Sequence, residues 1–526
     1  MTRLTLFASM LVFMAQAQSL AAEELIFDPE NPSAPDEEET IFDPENPGST
    51  GAPTTEPEPA EPAPPSNTYL VLSWASRSQI DTQWQDDEDH VEHIAELGLR
   101  LDSEISPSLR AFVDLELEHW GAWGQDQPSR YAADVRLGEA YVAWRRDSWS
   151  IRAGNLVTRW GSTDITRPSD VINPVDLTDL GAGALTRVAQ PAAEIGTGGS
   201  NWRLTGVLVP FFVGNRTWTF GRDTALWSPQ NPAAESLPIS KIANRLLDPS
   251  IQDDVQPALS ATRVPDETPE NVSFGFRSTT TLANTDLALG WYYGWDRTPS
   301  LQINSEFRGI LETVASDEAF LNDFNFLELV GRNPELIGQF NTLSESLQNG
   351  ESALEIYHER LMTMSAEVSR YVGPIGVRAD VAFQPEKTYV RQDLSTERKP
   401  TISGALGLSW ENLNAEDDFF TLTVEGFVVE PIGGEEYLGV GRRALGMASL
   451  VGWALPAPSL EIQLASVWTA SNEDLILAPS VTWKGLEHMK VRAYAMLFET
   501  WGGSAISNAK ILDQNDFVGI ELSGQL

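Results

Sequence analysis

Cysteine is absent from all 526 positions. No disulfide framework can form, no metal site can be built on thiolates, and a lipoprotein-type anchor is excluded. Histidine is scarce: the chain has only His90, His93, His119, His358 and His488. None has a serine partner in a recognisable nucleophile setting, so the chain does not read as an enzyme. After the first residues no apolar run reaches about eighteen positions, which excludes a helical membrane span. Basic residues are outnumbered, 35 Lys and Arg against 76 Asp and Glu, for a formal net charge of −41. That balance argues against nucleic acid as a partner.

What is present begins with a leader. Arg3 precedes an apolar run from Leu4 to Met14, and small residues at Ser19 and Ala21, or Ala15 and Ala17, are spaced for cleavage. Residues 1–21 therefore read as a secretory signal. The next segment, 22–66, has another texture: from 23 to 66 there are 13 acidic side chains, no basic ones, and proline at one position in four. It reads as a disordered, self-repelling, partly polyproline-like tether. Within it Ile26-Phe27-Asp28-Pro29-Glu30-Asn31-Pro32 returns unchanged as Ile41-Phe42-Asp43-Pro44-Glu45-Asn46-Pro47. One reading is a docking peptide presented twice to a periplasmic or inner-membrane protein. Phe27 and Phe42 would anchor, Asp28 and Asp43 would steer toward a basic groove, and Pro29 and Pro44 would limit the ordering cost, with duplication raising the effective concentration. The other reading is a duplication inside a low-complexity spacer.

From Asn67 to Leu526 the dominant period is two. In "SLRAFVDLELEHW", Ala111, Val113, Leu115 and Leu117 alternate with Arg110, Asp114, Glu116 and Glu118. "SLEIQLASVW" and "MKVRAYAML" repeat the pattern, which means half-buried strands. Several are about ten residues long, short connections such as "RRDS" and "KGLEH" alternate with long polar ones, and Trp120, Trp144, Trp410, Trp453 and Trp483 fall near strand ends. A charged second face suits a wet lumen better than a dry sandwich core. The expected fold is all-β: a closed antiparallel transmembrane β-barrel of about eighteen strands, sixteen if the weak segments near Asp134 and Val188 drop out, in the outer membrane of a Gram-negative bacterium. An even count places the tether in the periplasm.

One stretch carries more. "RAGNLVTRWGSTDITRPSDVINPVDLTDL" holds Arg152, Gly154, Trp160, Gly161, Asn173, Pro174, Val175 and Asp176 in an Arg-Xaa-Gly, Trp-Gly, Asn-Pro-Val-Asp succession. It resembles a family of Gram-negative outer-membrane barrels of unassigned function, often found beside resistance-nodulation-division type exporters. Membership would imply transport of small or lipid-like molecules. Read from its residues alone, the stretch is a strand running into a compact loop stiffened by Pro168 and Pro174, with Asp170, Asn173 and Asp176 able to make local turns. It could fold inward as a charged constriction, or lock itself by internal hydrogen bonds. The two are compatible.

The candidate constriction set is Arg152, Arg159, Asp164, Arg167, Asp170, Asn173 and Asp176, with Glu96, Asp114, Glu116, Glu118, Arg378 and Arg492 on the lumen wall. Such charges could set up a transverse field that orients polar solutes, or fill the lumen with ion pairs. Two insertions, 222–270 and 299–355, exceed simple loops. In the second, Phe307, Ile310 and Leu311 share a helical face, Phe340 lies on another, and Phe320 and Phe324 sit between. An amphipathic insert of this kind can act as lid or plug, favouring amphipathic or hydrophobic solutes, or cap the barrel outside. The carboxylates before His90 and His93 read as a solvated loop, so neither metal nor cofactor is assigned. The partners expected are outer-membrane lipid and a small-molecule solute; a general diffusion porin and a sealed structural or adhesive barrel are the alternatives.

Overall fold

The computed structural model describes residues 68–82, 89–124, 130–176, 178, 186–216, 260–317, 319–320, 326–349, 351–391, 396–411, 419–433, 437, 442–455, 459–501, 512 and 515–526. The leader, the tether with both heptads, Phe324 and the "SKIANRLL" piece lie outside the described residues.

Eighteen strands make one sheet. The first six are β1 (Thr68–Asp81), β2 (Asp89–Ser106), β3 (Leu109–Gly124), β4 (Arg130–Arg146), β5 (Trp149–Leu156) and β6 (Gln190–Gly198). Then come β7 (Trp202–Val209), β8 (Ser273–Leu282), β9 (Thr285–Trp295), β10 (Arg360–Val372), β11 (Ile375–Val390) and β12 (Thr396–Glu411). The last six are β13 (Phe419–Pro431), β14 (Ala444–Leu455), β15 (Leu460–Thr469), β16 (Asp474–Leu486), β17 (Met489–Thr500) and β18 (Phe517–Gln525). Each strand pairs antiparallel with the next, and β18 closes on β1 with Ser73 opposite Gln525 and Asp81 opposite Phe517. Closure leaves no unpaired edge, the condition for a sheet to cross a bilayer. The count is eighteen, not sixteen: both weak segments are strands, with β4 starting at Arg130 and β6 at Gln190.

Burial is inside out. Leu97, Leu99 and Leu101 of β2, Val135 and Leu137 of β4, and Leu406 and Leu408 of β12 are exposed, while Glu118, Glu194, Glu367, Asp380 and Glu425 are buried. A water-soluble core would bury the leucines; a surface meant for lipid exposes them and keeps charge in the lumen. Trp144, Trp410, Trp453 and Trp483 face outward beside the short turns, a girdle at one interface. Trp120 does not belong to it. Parity puts it on the face of Asp114, Glu116 and Glu118, where it is 5% exposed and packs with Ile94 and Ala122.

The short turns share one end, where the chain also enters at Thr68 and leaves at Leu526. Ala283 and Asn284 join β8 to β9 with φ of 50° and 60°, the two-residue geometry whose twist matches paired strands. At the other end lie the long connections. The one between β9 and β10 holds, among the described residues, the helices α1 (Ser305–Ser316), α2 (Phe326–Arg332) and α3 (Glu335–Gln348). The Asn304 side chain caps α1, accepting from Glu306 N and Phe307 N at 3.0 and 3.3 Å. The short strands Ser300–Ile303 and Leu354–Tyr357 pair antiparallel beneath the helices, and Ser260–Arg263 joins the second in parallel.

Candidate functional site

The connection from β5 to β6 spans residues 157–189, and its described part from 157 to 176 turns into the barrel. Its exit from β5 is fixed by glycine. Gly154 has φ 145°, and a Cβ there would collide with the Ala140 carbonyl and lie 3.0 Å from Tyr141 Cβ. Val157 N–H donates to Glu139 at 2.9 Å. Trp160, 3% exposed, lies over Gly275 and Gly290, where a Cβ would sit 2.9 and 3.4 Å from the indole. Gly161, at φ 103°, brings the backbone against Arg167 and Asp380.

The loop then reaches the far wall. Glu425 of β13 accepts from Asp164 N at 2.5 Å, Thr166 N at 2.7 Å and the Thr166 hydroxyl at 2.9 Å. Asp380 of β11 accepts from the Ser169 hydroxyl at 2.7 Å, and the Ser162 hydroxyl donates to Ala379 O at 3.0 Å. Arg378 pairs with Asp164. In an eighteen-strand ring β13 is seven strands from β6, so these contacts span most of a diameter. Charged acceptors on backbone N–H groups are the stronger class of hydrogen bond, and here they satisfy loop amides that a lumen would otherwise leave to water.

The return leg is tied to the rim. Gln190 donates to Ile172 O at 2.8 Å and Asn173 Oδ1 at 3.2 Å. Arg297, fully buried before the helical insertion, donates to Ile172 O at 2.9 Å, Gln190 Oε1 at 2.7 Å and Val213 O at 2.7 Å. Asp170 pairs with Arg187 at 2.9 Å and Asp176 with Arg216 at 3.4 Å. Arg167 donates back to Thr163 O at 2.9 Å. The loop thus locks itself and also braces the barrel. The family-like motif is its scaffold: Gly154, Trp160, Gly161, Asn173 and Asp176 each hold a stage of the path.

The remaining sequence-derived wall residues pair mostly with neighbouring strands. Glu96 meets Arg77 at 2.5 Å, Asp114 meets Arg100 at 3.7 Å, Glu118 meets Arg136 at 2.6 Å, Arg152 meets Glu194 at 2.9 Å and Arg492 meets Glu521 at 3.6 Å. Glu116 is half-buried beside them. Arg159 is exposed in the space beneath the loop. That space, between the loop and the short-turn end, is a cavity of about 960 Å³. A second of about 90 Å³ lies where Arg167, Asp170, Asn173 and Arg187 face Phe427 and Ser403.

In the helical insertion Ile310 and Phe320 are buried with Val314, Leu329, Leu336 and Leu343, and Phe307 and Phe340 pack against that cluster. These side chains are spent on one another; Leu311 is half-buried, while Leu327 and Ile337 are exposed. Among the described residues no group of three His, Asp or Glu is placed to hold a metal ion. His90 and His93 fall inside β2, and His93 Nδ1 lies 2.9 Å from the Ser78 hydroxyl.

Glu425 and Asp380, which clasp the loop, were not identifiable as site residues from sequence, nor were Glu194, Glu367, Arg203 and Arg277. The available signal was a carboxylate at inward parity among short polar neighbours, as in Thr421, Thr423, Glu425.

Comparison with known proteins adds little. No family model matches the chain, and no curated protein does. Among solved structures the chain is similar to a Salmonella typhi OmpF in complex with daunomycin, with TM-score 0.38 and 9% identity over 87% of this chain and 97% of that one. It is also similar to a mutant Rh. blastica porin, with TM-score 0.36 and 8% identity over 88% and 100%, and to Pseudomonas putida OprB, with TM-score 0.39 and 7% identity over 87% and 94%.

Proposed function

We propose that the protein is an outer-membrane channel for small, amphipathic or hydrophobic molecules, narrowed by the loop of residues 157–189. The observation that carries this reading is the clasp of Asp164, Thr166 and Ser169 onto Glu425 and Asp380, which crosses the lumen yet leaves a cavity of about 960 Å³ below it. A barrel with a purely structural role has no use for a wet, charged interior of that size, and the braced loop fixes the narrowest point of the path. The motif from Arg152 to Asp176 supports kinship with the exporter-associated barrels it resembles. The helices α1 to α3, with their buried apolar side chains turned to one another, act as a cap at the outer mouth.

Liposome swelling with sugars of graded size tests the proposal. The expected result is slow, sharply size-limited flux that rises in Glu425→Ala. Free passage of large sugars through the wild type would make it a general porin, and no flux from either protein would make it a sealed barrel.

The chain enters the barrel at Thr68, at the short-turn end, so this reading puts the duplicated heptad in the periplasm, free to engage a periplasmic or inner-membrane protein. A pull-down with the 23–48 peptide against a scrambled control should recover such a partner; equal recovery by both removes the docking role.

A further inference from the structure

Among charged residues, the cavity beneath the loop is walled mainly by arginine. Against an overall formal charge of −41, its lining holds eight arginines and only five carboxylates. Five of the arginines are held by carboxylates: Arg152 by Glu194 at 2.9 Å, Arg277 by Glu367 at 2.7 Å, Arg110 by Asp102 at 2.5 Å, Arg100 by Asp114 at 3.7 Å, and Arg378 by Asp164; Glu139 accepts from the Val157 amide at 2.9 Å. Asp286 accepts from the Thr281 hydroxyl at 2.6 Å in the turn at the mouth, and Glu104 is exposed at the same rim. On the cationic side, Arg159 of the loop and Arg203 of β7 form no ion pair among the described residues, and both line the cavity. Arginines without an ion partner concentrate anions in a walled space, because the low-dielectric wall focuses their field.

One wall adds shape. Across the adjacent strands β2 to β5 runs a row of planar groups: Arg100, Phe112, Tyr141 and Arg152. The Arg100 guanidinium lies 5.8 Å from the Phe112 ring centre, Phe112 and Tyr141 stack at 5.3 Å with 22° between planes, and Arg152 lies 5.8 Å from the Tyr141 centre. Gly154 sets this row, since only a residue without Cβ lets β5 lie against Tyr141. A guanidinium flanks the ring pair on each side, a surface that accepts a flat apolar body while offering donors to its oxygens.

We propose that this cavity is a binding subsite for small organic anions with an aromatic or apolar body. Arg159 and Arg203 draw the carboxylate or phosphate oxygens, and the body lies along the Phe112–Tyr141 row. This deepens the channel reading and rests on it for the access route.

The test uses the full-length barrel, wild type, Arg159→Gln/Arg203→Gln and Arg159→Lys/Arg203→Lys. Reversal potentials in a potassium chloride gradient across planar bilayers report charge selectivity. Titration calorimetry in detergent, with benzoate as probe and benzamide as its neutral control, reports binding. The wild type should prefer chloride over potassium and bind benzoate but not benzamide. The glutamine pair should lose the preference and bind at least about tenfold more weakly, the scale of two lost charge-assisted hydrogen bonds, while the lysine pair keeps the preference. A cation-selective wild type, or benzoate binding equal in wild type and the glutamine pair, overturns the subsite. A barrel that conducts nothing but binds benzoate through these arginines retains the subsite and removes the channel reading; a conducting barrel indifferent to them does the reverse.

Discussion

At φ 145° Gly154 lies where a Cβ would strike the Ala140 carbonyl and crowd Tyr141. Gly154→Ala should therefore lower barrel stability by about 3 kcal/mol, combining backbone strain and overpacking. The unfolding midpoint followed by the heat-dependent band shift in detergent gels checks this, and a shift indistinguishable from wild type would contradict it. His358 gives a second residue-scale expectation. Burial holds its imidazole pKa below the ordinary 6.5; its Nδ1–H donates to Asp296 O at 2.9 Å, and its ring is 4.4 Å from that of Phe212. A neutral buried histidine takes up its proton more readily when the segment opens. Local stability is thus full above pH 6.5 and declines as pH falls through the lowered folded value. Hydrogen-exchange protection factors around residues 296–300, corrected for the intrinsic pH dependence of exchange, should fall between pH 7.5 and 5.5 in the wild type and lose that dependence in His358→Phe. Gly154 was visible in sequence as part of Arg-Xaa-Gly, but its necessity was not, because the reason lies in Ala140 and Tyr141 on the neighbouring strand.

Among elements, the strands were the most legible part. Alternation needs only the two faces of one strand, so β2, β3, β15 and β17 stand out without knowledge of their neighbours. The two weak segments have local causes. β4 carries a register shift opposite Val113 to Leu115, which interrupts its alternation at Gly138 and Glu139. β6, "QPAAEIGTG", offers one large outward side chain, Ile195. Ion partners were illegible because each lies across a register the sequence does not state: Arg152 meets Glu194 from 42 positions away, and Asp164 meets Arg378 from 214. The helical insertion is expected to be separable. Ile303 and Leu354 are directly paired beneath it, so replacing residues 304–353 with a short glycine-serine turn should leave the barrel folded with an unchanged detergent-gel midpoint. Aggregation of that variant would show the helices to be part of the barrel's own support.

For the whole molecule, the membrane placement makes an asymmetric demand on substitutions. Leu406, 60% exposed on β12 and four residues from the girdle Trp410, faces the apolar band. Leu406→Arg should cost about 2–4 kcal/mol in a bilayer, whereas Thr279→Arg, on the lumen face of β8 beside the cavity, should cost far less. Equal costs, measured by reversible unfolding in lipid vesicles, would mean that the outer surface is not in hydrocarbon. The loop of residues 157–189 has a mechanical consequence as well. A hoop of eighteen staves resists stretching, since every stave is hydrogen-bonded to two others, but it resists flattening poorly, because small changes of angle at each joint suffice. A strut fastened at Leu156 and Gln190 on one side and at Glu425 and Asp380 on the other holds the cross-section open against the sideways squeeze of the lipids.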